Sequence, residues 1–450
     1  MRSPTMEPTP EKRSTTRRSF LESTSTAAAA SVTTLALASS RPVHATGSEG
    51  NLKLGLIGCG GRGAGAANQA LTADDRVQLH SICDVDRSVM EKAKEILEKN
   101  QPGRIDVPPE RQYDNFEGYQ RVIADSDVVI LATSPGFRPQ HFEEAIAQGK
   151  HVFMEKPVAS DVNGIKRVLQ ASEDADKKGL KVAVGLQRRH QPSYQEWVQR
   201  LQNGAIGDIQ VLRALWNGSS RPGKPRLVGE SELEYQIRNW YYFTWLSGDH
   251  NVEQHVHNLD VVNWIMDEKH PIKARGMGGR QVRNAPENGQ IFDHHFVEYE
   301  YADGTLLYSQ ARQIPGCLRD ISESAVGTLG RADLMQRQFT ISGPNADELN
   351  LRKGEDGHQL EHYPFFKAIR ENLPHNEAKR GAIATMTAIL GRMSNYSGQD
   401  VTWDDAMASD QKLVPDDLID FSSPSPLQPD SEGRYPIAIP GSSDPFSSWY

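Results

Sequence analysis

The segment Leu54-Gly-Leu-Ile-Gly58-Cys-Gly60-Gly-Arg-Gly63, followed by the alanine-rich Ala64-Gly-Ala-Ala-Asn-Gln-Ala70, reads as a strand, a tight turn and a helix. In such a loop Gly58 allows the turn, Gly60 lets the backbone approach a pyrophosphate, and Gly63 lets the helix pack closely on the strand. The helix N-terminus then offers free N–H groups to phosphate. The next apolar run, Val77-Gln-Leu-His-Ser-Ile-Cys-Asp84, ends in an acid about twenty residues further on, where a ribose-binding carboxylate is expected. A carboxylate that accepts from the ribose 2′-OH repels a 2′-phosphate, so NAD is expected rather than NADP. Arg62 is placed over the adenine side of the loop.

Strand and helix patterns continue to alternate. Asp127-Val-Val-Ile-Leu-Ala-Thr133 is a buried strand closed by the turn Ser134-Pro135-Gly136, and a helix from His141 to Gln148 stops at Gly149. The run His151-Val-Phe-Met then meets Glu155-Lys156-Pro157. This alternation implies a parallel sheet with right-handed crossovers, whose ligands bind at the carboxyl ends of the strands. Gly58, Asp84, Thr133 and Glu155 all fall on that edge. A lysine there has a chemical use: oxidising a carbinol requires its hydroxyl to be polarised, and an ammonium stabilises the developing negative charge. Glu155 would hold Lys156 or the nicotinamide ribose.

A second cluster runs from Ser247 to Trp264 and carries His250, Glu253, His255, His257 and Asp260 among apolar residues at helical spacing. On a helix Glu253 and His257 would share a face, with Asp260 three residues further on, so that Glu253 can orient the imidazole and joins Lys156 and His257 as a catalytic candidate. Histidine titrates near pH 6.5, about where a group that takes and returns a proton is useful, which makes His257 the candidate general base. His255 would point away, which suits a structural or second-substrate role rather than joint catalysis. The cluster could hold a divalent ion, but Lys156 already supplies a polarising cation and no metal is expected. Arg188, Arg189, Trp240 and Asp260 are candidate substrate contacts, Trp240 within the aromatic run Trp240-Tyr-Tyr-Phe-Thr-Trp245.

The segment Gly149-Lys-His-Val-Phe-Met-Glu155-Lys156-Pro157 resembles the signature of the Gfo/Idh/MocA oxidoreductases, which include glucose-fructose oxidoreductase and inositol dehydrogenase. The resemblance extends over most of residues 52 to 405, taking in the glycine loop, Thr133 to Pro135, His141 and Tyr396 to Trp403. It implies an α/β chain with an N-terminal Rossmann domain, followed by an α/β domain with a large, mostly antiparallel open sheet that often forms the oligomer interface. A homodimer or homotetramer follows as an expectation. So do roles for Thr133, Pro135, His141, Glu155 and Lys156 at the cofactor, and substrate-contacting residues after the strand Val182-Ala-Val. The family's Asp-x-x-x-His is matched at His257, with Glu253 in place of the usual Asp.

The length of 450 residues suggests two domains. Thr16-Arg17-Arg18-Ser-Phe-Leu, a mild apolar stretch from Ala27 to Ala38, and Val43-His-Ala45 together look like a twin-arginine export signal. The stretch is too short for a transmembrane helix, so no membrane association is expected after signal removal. The expected organisation is a signal over 1–45, a Rossmann domain over 50–172, a substrate and oligomerisation domain over 173–410, and an extended arm over 411–450. Six Lys/Arg and three Asp/Glu lie in the first 45 residues, so their removal takes the formal net charge from −9 to −12, which argues against nucleic acid. Three cysteines, Cys59, Cys83 and Cys317, offer no disulfide framework. Asp303-Gly304 between two alternating segments predicts a hairpin.

The sequence reading is thus an exported, periplasmic oxidoreductase that moves hydride between a nicotinamide and a hydroxyl of a sugar, sugar derivative or cyclitol. An alternative is a redox-neutral, NAD-dependent glycoside-cleaving enzyme working by oxidation and elimination with tightly held cofactor.

Overall fold

The structure is a computed structural model that describes residues 50–344, 349, 351–352, 354–416 and 418–448. The twin-arginine segment lies outside the described residues.

Six strands form a parallel sheet: β1 (Leu52–Ile57), β2 (Val77–Cys83), β3 (Gln112–Tyr113), β4 (Val128–Leu131), β5 (His151–Met154) and β6 (Val182–Val184), in the order β3-β2-β1-β4-β5-β6. The order reverses beside β1, which creates a crevice at the carboxyl edge between β1 and β4. β4 is buried along its whole length, as its unbroken apolar sequence requires when helices cover both faces of a parallel sheet. The expected domain boundary at 172 falls inside the helix Val162–Lys178, and β6 beyond it completes the sheet. That strand has only three residues, too few for periodicity to assign it to one domain or the other.

The second sheet comprises β7 (Ile209–Asn217), β8 (Lys273–Gly279), β9 (His294–Glu300), β10 (Leu306–Arg312), β11 (Asp320–Gly327), β12 (Arg331–Met335), β13 (Gln338–Ser342), β14 (Leu351–Arg352) and β15 (Val401–Thr402). Their order is β14-β13-β12-β11-β7-β10-β9-β8-β15, with every pairing antiparallel except β7 with β10. The hairpin expected at Asp303-Gly304 joins β9 to β10, with Gly304 at φ +84°. Buried and half-buried residues alternate along β9 and β10, so one face packs inward and the other is left open. The helices Val256–Ile265 and Ala378–Ser397 cover the inner face.

Residues 411 to 448 contain no regular helix or strand among those described, yet Leu413, Leu427, Tyr435 and Ala438 are buried against the rest of the chain. No described helix is long and apolar enough to cross a membrane.

Candidate active site

The glycine loop takes the geometry its sequence requires. Gly58 has φ +91°, and a Cβ there would lie 2.6 Å from the Ala132–Thr133 backbone. A Cβ on Gly63 would lie 1.9 Å from the Gly58 carbonyl oxygen, so helix and strand pack at a distance only glycine permits. Gly60 differs: a Cβ built there meets no atom within 4 Å. That open space lies at the N-cap of the helix Gly61–Ala73, which has no side-chain cap, so its first N–H groups face the crevice. Asp84 accepts from the N–H groups of Cys59 (2.7 Å) and Asp86 (3.0 Å), which fixes its carboxylate at the rim with lone pairs left for ribose hydroxyls. Burial, followed by the nearby Asp86 charge among the raising effects, lifts the Asp84 carboxyl above the usual range. A glycine cradle, a free helix N-terminus and a rim carboxylate fit a dinucleotide.

Arg62 turns inward: its Nε lies 2.7 Å from Glu155 Oε1, so Glu155 is held by the glycine loop. Lys156 Nζ lies 3.0 Å from Glu253 Oε1 and 2.5 Å from the Glu253 carbonyl oxygen. The other Glu253 carboxylate oxygen is buried and has no protein partner among the described residues. The expectation that Glu253 and His257 lie on one continuous helix is corrected. Helices His250–Glu253 and Val256–Ile265 are separate, and the His255 N–H bonds the His250 carbonyl five residues back. This widened turn re-aims Glu253 toward Lys156. His255 is structural, with Nε2 2.7 Å from Ser309 Oγ.

A cleft of about 1180 Å³ brings together Gly60, Arg62, Glu155, Lys156, Glu253 and His257. Pro135, Arg188 and Trp240 also line it. The His257 ring stacks on Trp216 with centroids 6.1 Å apart, and both rings line the cleft. Thr133 and His141 join through Oγ1 and Nδ1 at 3.2 Å and border a second cleft, of about 320 Å³, beside Asp84. Burial, reinforced by Arg138, pushes the His141 imidazole down to about 3, so it is neutral at ordinary pH.

Two of the expected substrate contacts are corrected. Arg189 donates from Nε to both Asp260 oxygens at 2.9 Å and from Nη1 to Glu268 at 2.6 Å, and neither Arg189 nor Asp260 lines the cleft. Burial alone pulls the Arg189 guanidinium down, but Asp260 and Glu268 outweigh it and hold it above its ordinary range. Arg188 reaches the cleft but is neutralised by Glu323, which also accepts from Asn258 Nδ2 at 2.6 Å. Trp216, Tyr241, Tyr242, Arg221 and Gln254 line the cleft without having been singled out individually. The aromatic run was the only local signal for the two tyrosines.

A nucleotide cradle and a lysine paired with a carboxylate over one cleft define a nicotinamide-dependent oxidoreductase acting on CH–OH groups. Residues 52–186 match the family described as GFO_IDH_MocA, oxidoreductase family, NAD-binding Rossmann fold. Inositol 2-dehydrogenase of Acidothermus cellulolyticus is 25% identical over 300 residues, covering 66% of this chain and 77% of that protein. Among solved structures, an oxidoreductase domain protein from Kribbella flavida superposes with a TM-score of 0.64 at 18% identity, covering 78% of this chain and 99% of that one. Scyllo-inositol dehydrogenase from Lactobacillus casei, with bound NAD(H) and scyllo-inositol, gives 0.59 at 20% identity, covering 80% and 100%. The chain is an NAD-binding oxidoreductase, and over residues 52–186 it is similar to the Gfo/Idh/MocA family.

Proposed function

We propose that this protein is an NAD-dependent dehydrogenase that oxidises a secondary hydroxyl of a cyclitol, sugar or sugar derivative. The observation that carries the reading is that Lys156, Glu253 and His257 border the same cleft as the glycine loop. The inositol 2-dehydrogenase relative and the inositol-bound structural neighbour support a polyhydroxylated ring as substrate.

NAD, when bound, supplies the hydride acceptor. Gly60 and the helix N-terminus hold its phosphates, and Asp84 its adenosine ribose. Lys156 donates a hydrogen bond to the reacting oxygen and stabilises the charge that develops there. Glu253 aims Lys156 and offers its unpartnered oxygen to a neighbouring substrate hydroxyl. His257 takes the hydroxyl proton. Trp240 and Trp216 give flat apolar faces suited to ring C–H surfaces.

NADH formation with a panel of cyclitols, neutral sugars and sugar acids tests this reading, and no turnover of any of them would sink it. A chromogenic glycoside in the same panel tests the glycoside-cleaving alternative.

We further read the chain as exported through the twin-arginine route, on the ordered charged, apolar and cleavage regions of residues 16–45. Fractionation of cells producing the Arg17→Lys, Arg18→Lys double variant tests this, with loss of export expected. Self-association through the open face of the second sheet is supported by exposed Met277 and half-buried Phe296 and Tyr308. Sedimentation should show a dimer or tetramer.

A further inference from the structure

The smaller cleft has two walls of different origin. On one side Gly58, Asp84, Asn115 and Thr133 stand at the carboxyl edge of the parallel sheet. Facing them are Ile237 and Trp240 from the second domain, and Pro415, Leu418 and Ile419 from the C-terminal segment. Asp84 marks this as the adenosine end of the nucleotide site, because the ribose carboxylate sits at its rim. Gly60, Thr133 and Trp240 border both clefts, so a dinucleotide laid across Gly60 runs from the smaller cleft into the one that holds Lys156.

The C-terminal segment is fastened on both sides of that wall. Before it, the Leu413 N–H donates to Asp161 Oδ2 at 2.6 Å, and buried Arg392 donates to Gln411 Oε1 at 3.0 Å. After it, Phe421 meets Phe116 edge-on with centroids 5.1 Å apart, and its carbonyl accepts from Ser231 Oγ at 3.2 Å. Further along, Gln236 donates to the Leu427 carbonyl at 2.9 Å, and Tyr435 Oη donates to Glu232 at 2.5 Å. Leu418 and Phe421 pack with Phe137, Trp240 and Trp245 in an apolar cluster of their own. Among the described residues between its fastenings there is neither helix nor strand to stiffen the segment.

A base between these walls loses water on both faces, which favours its staying bound while the second wall is in place. We propose that Pro415, Leu418 and Ile419 form a movable wall of the adenosine site, and that NAD enters and leaves only when the C-terminal segment lifts. The wall is secured in part through Phe421 and Phe116, which lie outside the catalytic cleft, while Trp240 packs against it and borders both clefts. Its opening therefore controls cofactor exchange while the Lys156–Glu253 contact, made by neither Phe421 nor Phe116, stays in place.

The test is the release rate of NAD from the full-length protein loaded with NAD and diluted into nucleotide-free buffer, for the parent, Leu418→Asp and Phe421→Ala. Both variants should release NAD at least about tenfold faster, with circular dichroism unchanged. Release within roughly twofold of the parent by folded variants overturns the proposal. A second measurement needs no variant: hydrogen exchange of the unmodified protein with and without NAD. Slowed exchange in residues 411–421 on adding NAD is expected. Protection of the glycine loop with no change in 411–421 overturns it. Neither readout involves substrate, so failure here leaves the dehydrogenase reading standing, and failure of that reading leaves this one measurable.

Discussion

Lys156 and Glu253 are 97 residues apart in sequence, and their side chains meet at 3.0 Å with both nearly buried. The contact joins the turn that follows β5 to the helix His250–Glu253 of the second domain, so the reactive cation is aimed by a residue from the other half of the molecule. A charge-assisted hydrogen bond of this kind is worth about 1.5–3 kcal/mol.

Lys156→Ala should lower kcat by about 10²- to 10³-fold, the loss typical of removing one donor to a developing oxyanion. NAD affinity should change little, because the glycine loop and Asp84 carry most of that binding. Steady-state rates together with a fluorescence titration of NAD separate the two effects.

Glu253→Gln keeps an acceptor oxygen but removes the charge that holds Lys156. A fall in kcat of roughly ten- to a hundredfold is expected, from the loss of a charged hydrogen bond. A larger loss than in Lys156→Ala would instead give Glu253 a chemical role beyond aiming the lysine.

Two glycines three residues apart should respond oppositely. Gly60 has φ −60°, which alanine adopts, and its Cβ position is open. Gly60→Ala should leave stability within roughly 0.5 kcal/mol while weakening NAD binding at least about tenfold. Gly63→Ala places a methyl 1.9 Å from the Gly58 carbonyl oxygen and should cost about 1–3 kcal/mol of stability. Paired denaturation curves and NAD titrations check both.

Asp260→Asn strips the charge from the buried partner of Arg189. Breaking a buried ion pair costs about 3–5 kcal/mol, so the variant should unfold at markedly lower denaturant. The kcat of the folded fraction should stay near that of the parent, which would confirm that the pair is structural.

Burial pushes His141, His255 and His362 down to about 3 and His250 to about 4. Each is neutral when folded and binds a proton below about pH 6.5 when unfolded, so the unfolded state holds more protons between about pH 6.5 and 3. Stability therefore falls with decreasing pH through that window, by up to about 1.4 kcal/mol per unit for each group. His362 stacks on Phe153 with centroids 4.3 Å apart, and neither ring nitrogen has a partner among the described residues. His362→Phe should leave stability at pH 7 near that of the parent and flatten the acid slope, as read from melting temperatures across pH.

The sheet alternation, the glycine geometry and the hairpin at Gly304 were legible because each depends on neighbours a few residues apart. Glu253 and His257, singled out as catalytic candidates, both line the cleft, but the relation expected between them does not hold. A helical wheel assumes an unbroken helix, and the widened turn at His255 has no sequence marker of its own.

Arg189 and Asp260 show the limit from the other side. A charged residue beside a presumed cleft reads the same whether it meets substrate or a buried counter-ion 71 residues away, because nothing local reports the partner. The same holds for the C-terminal segment, whose Pro-, Ser- and Asp-rich composition suggested an arm but not what it covers. The sequence alone determined the nucleotide loop, the strand edge and the presence of a lysine there, because steric rules and periodicity act over short spans. The aim of that lysine, the burial of Arg189 and the wall over the adenosine cleft were decided by tertiary structure, since each is a contact between segments whose meeting depends on the packed fold.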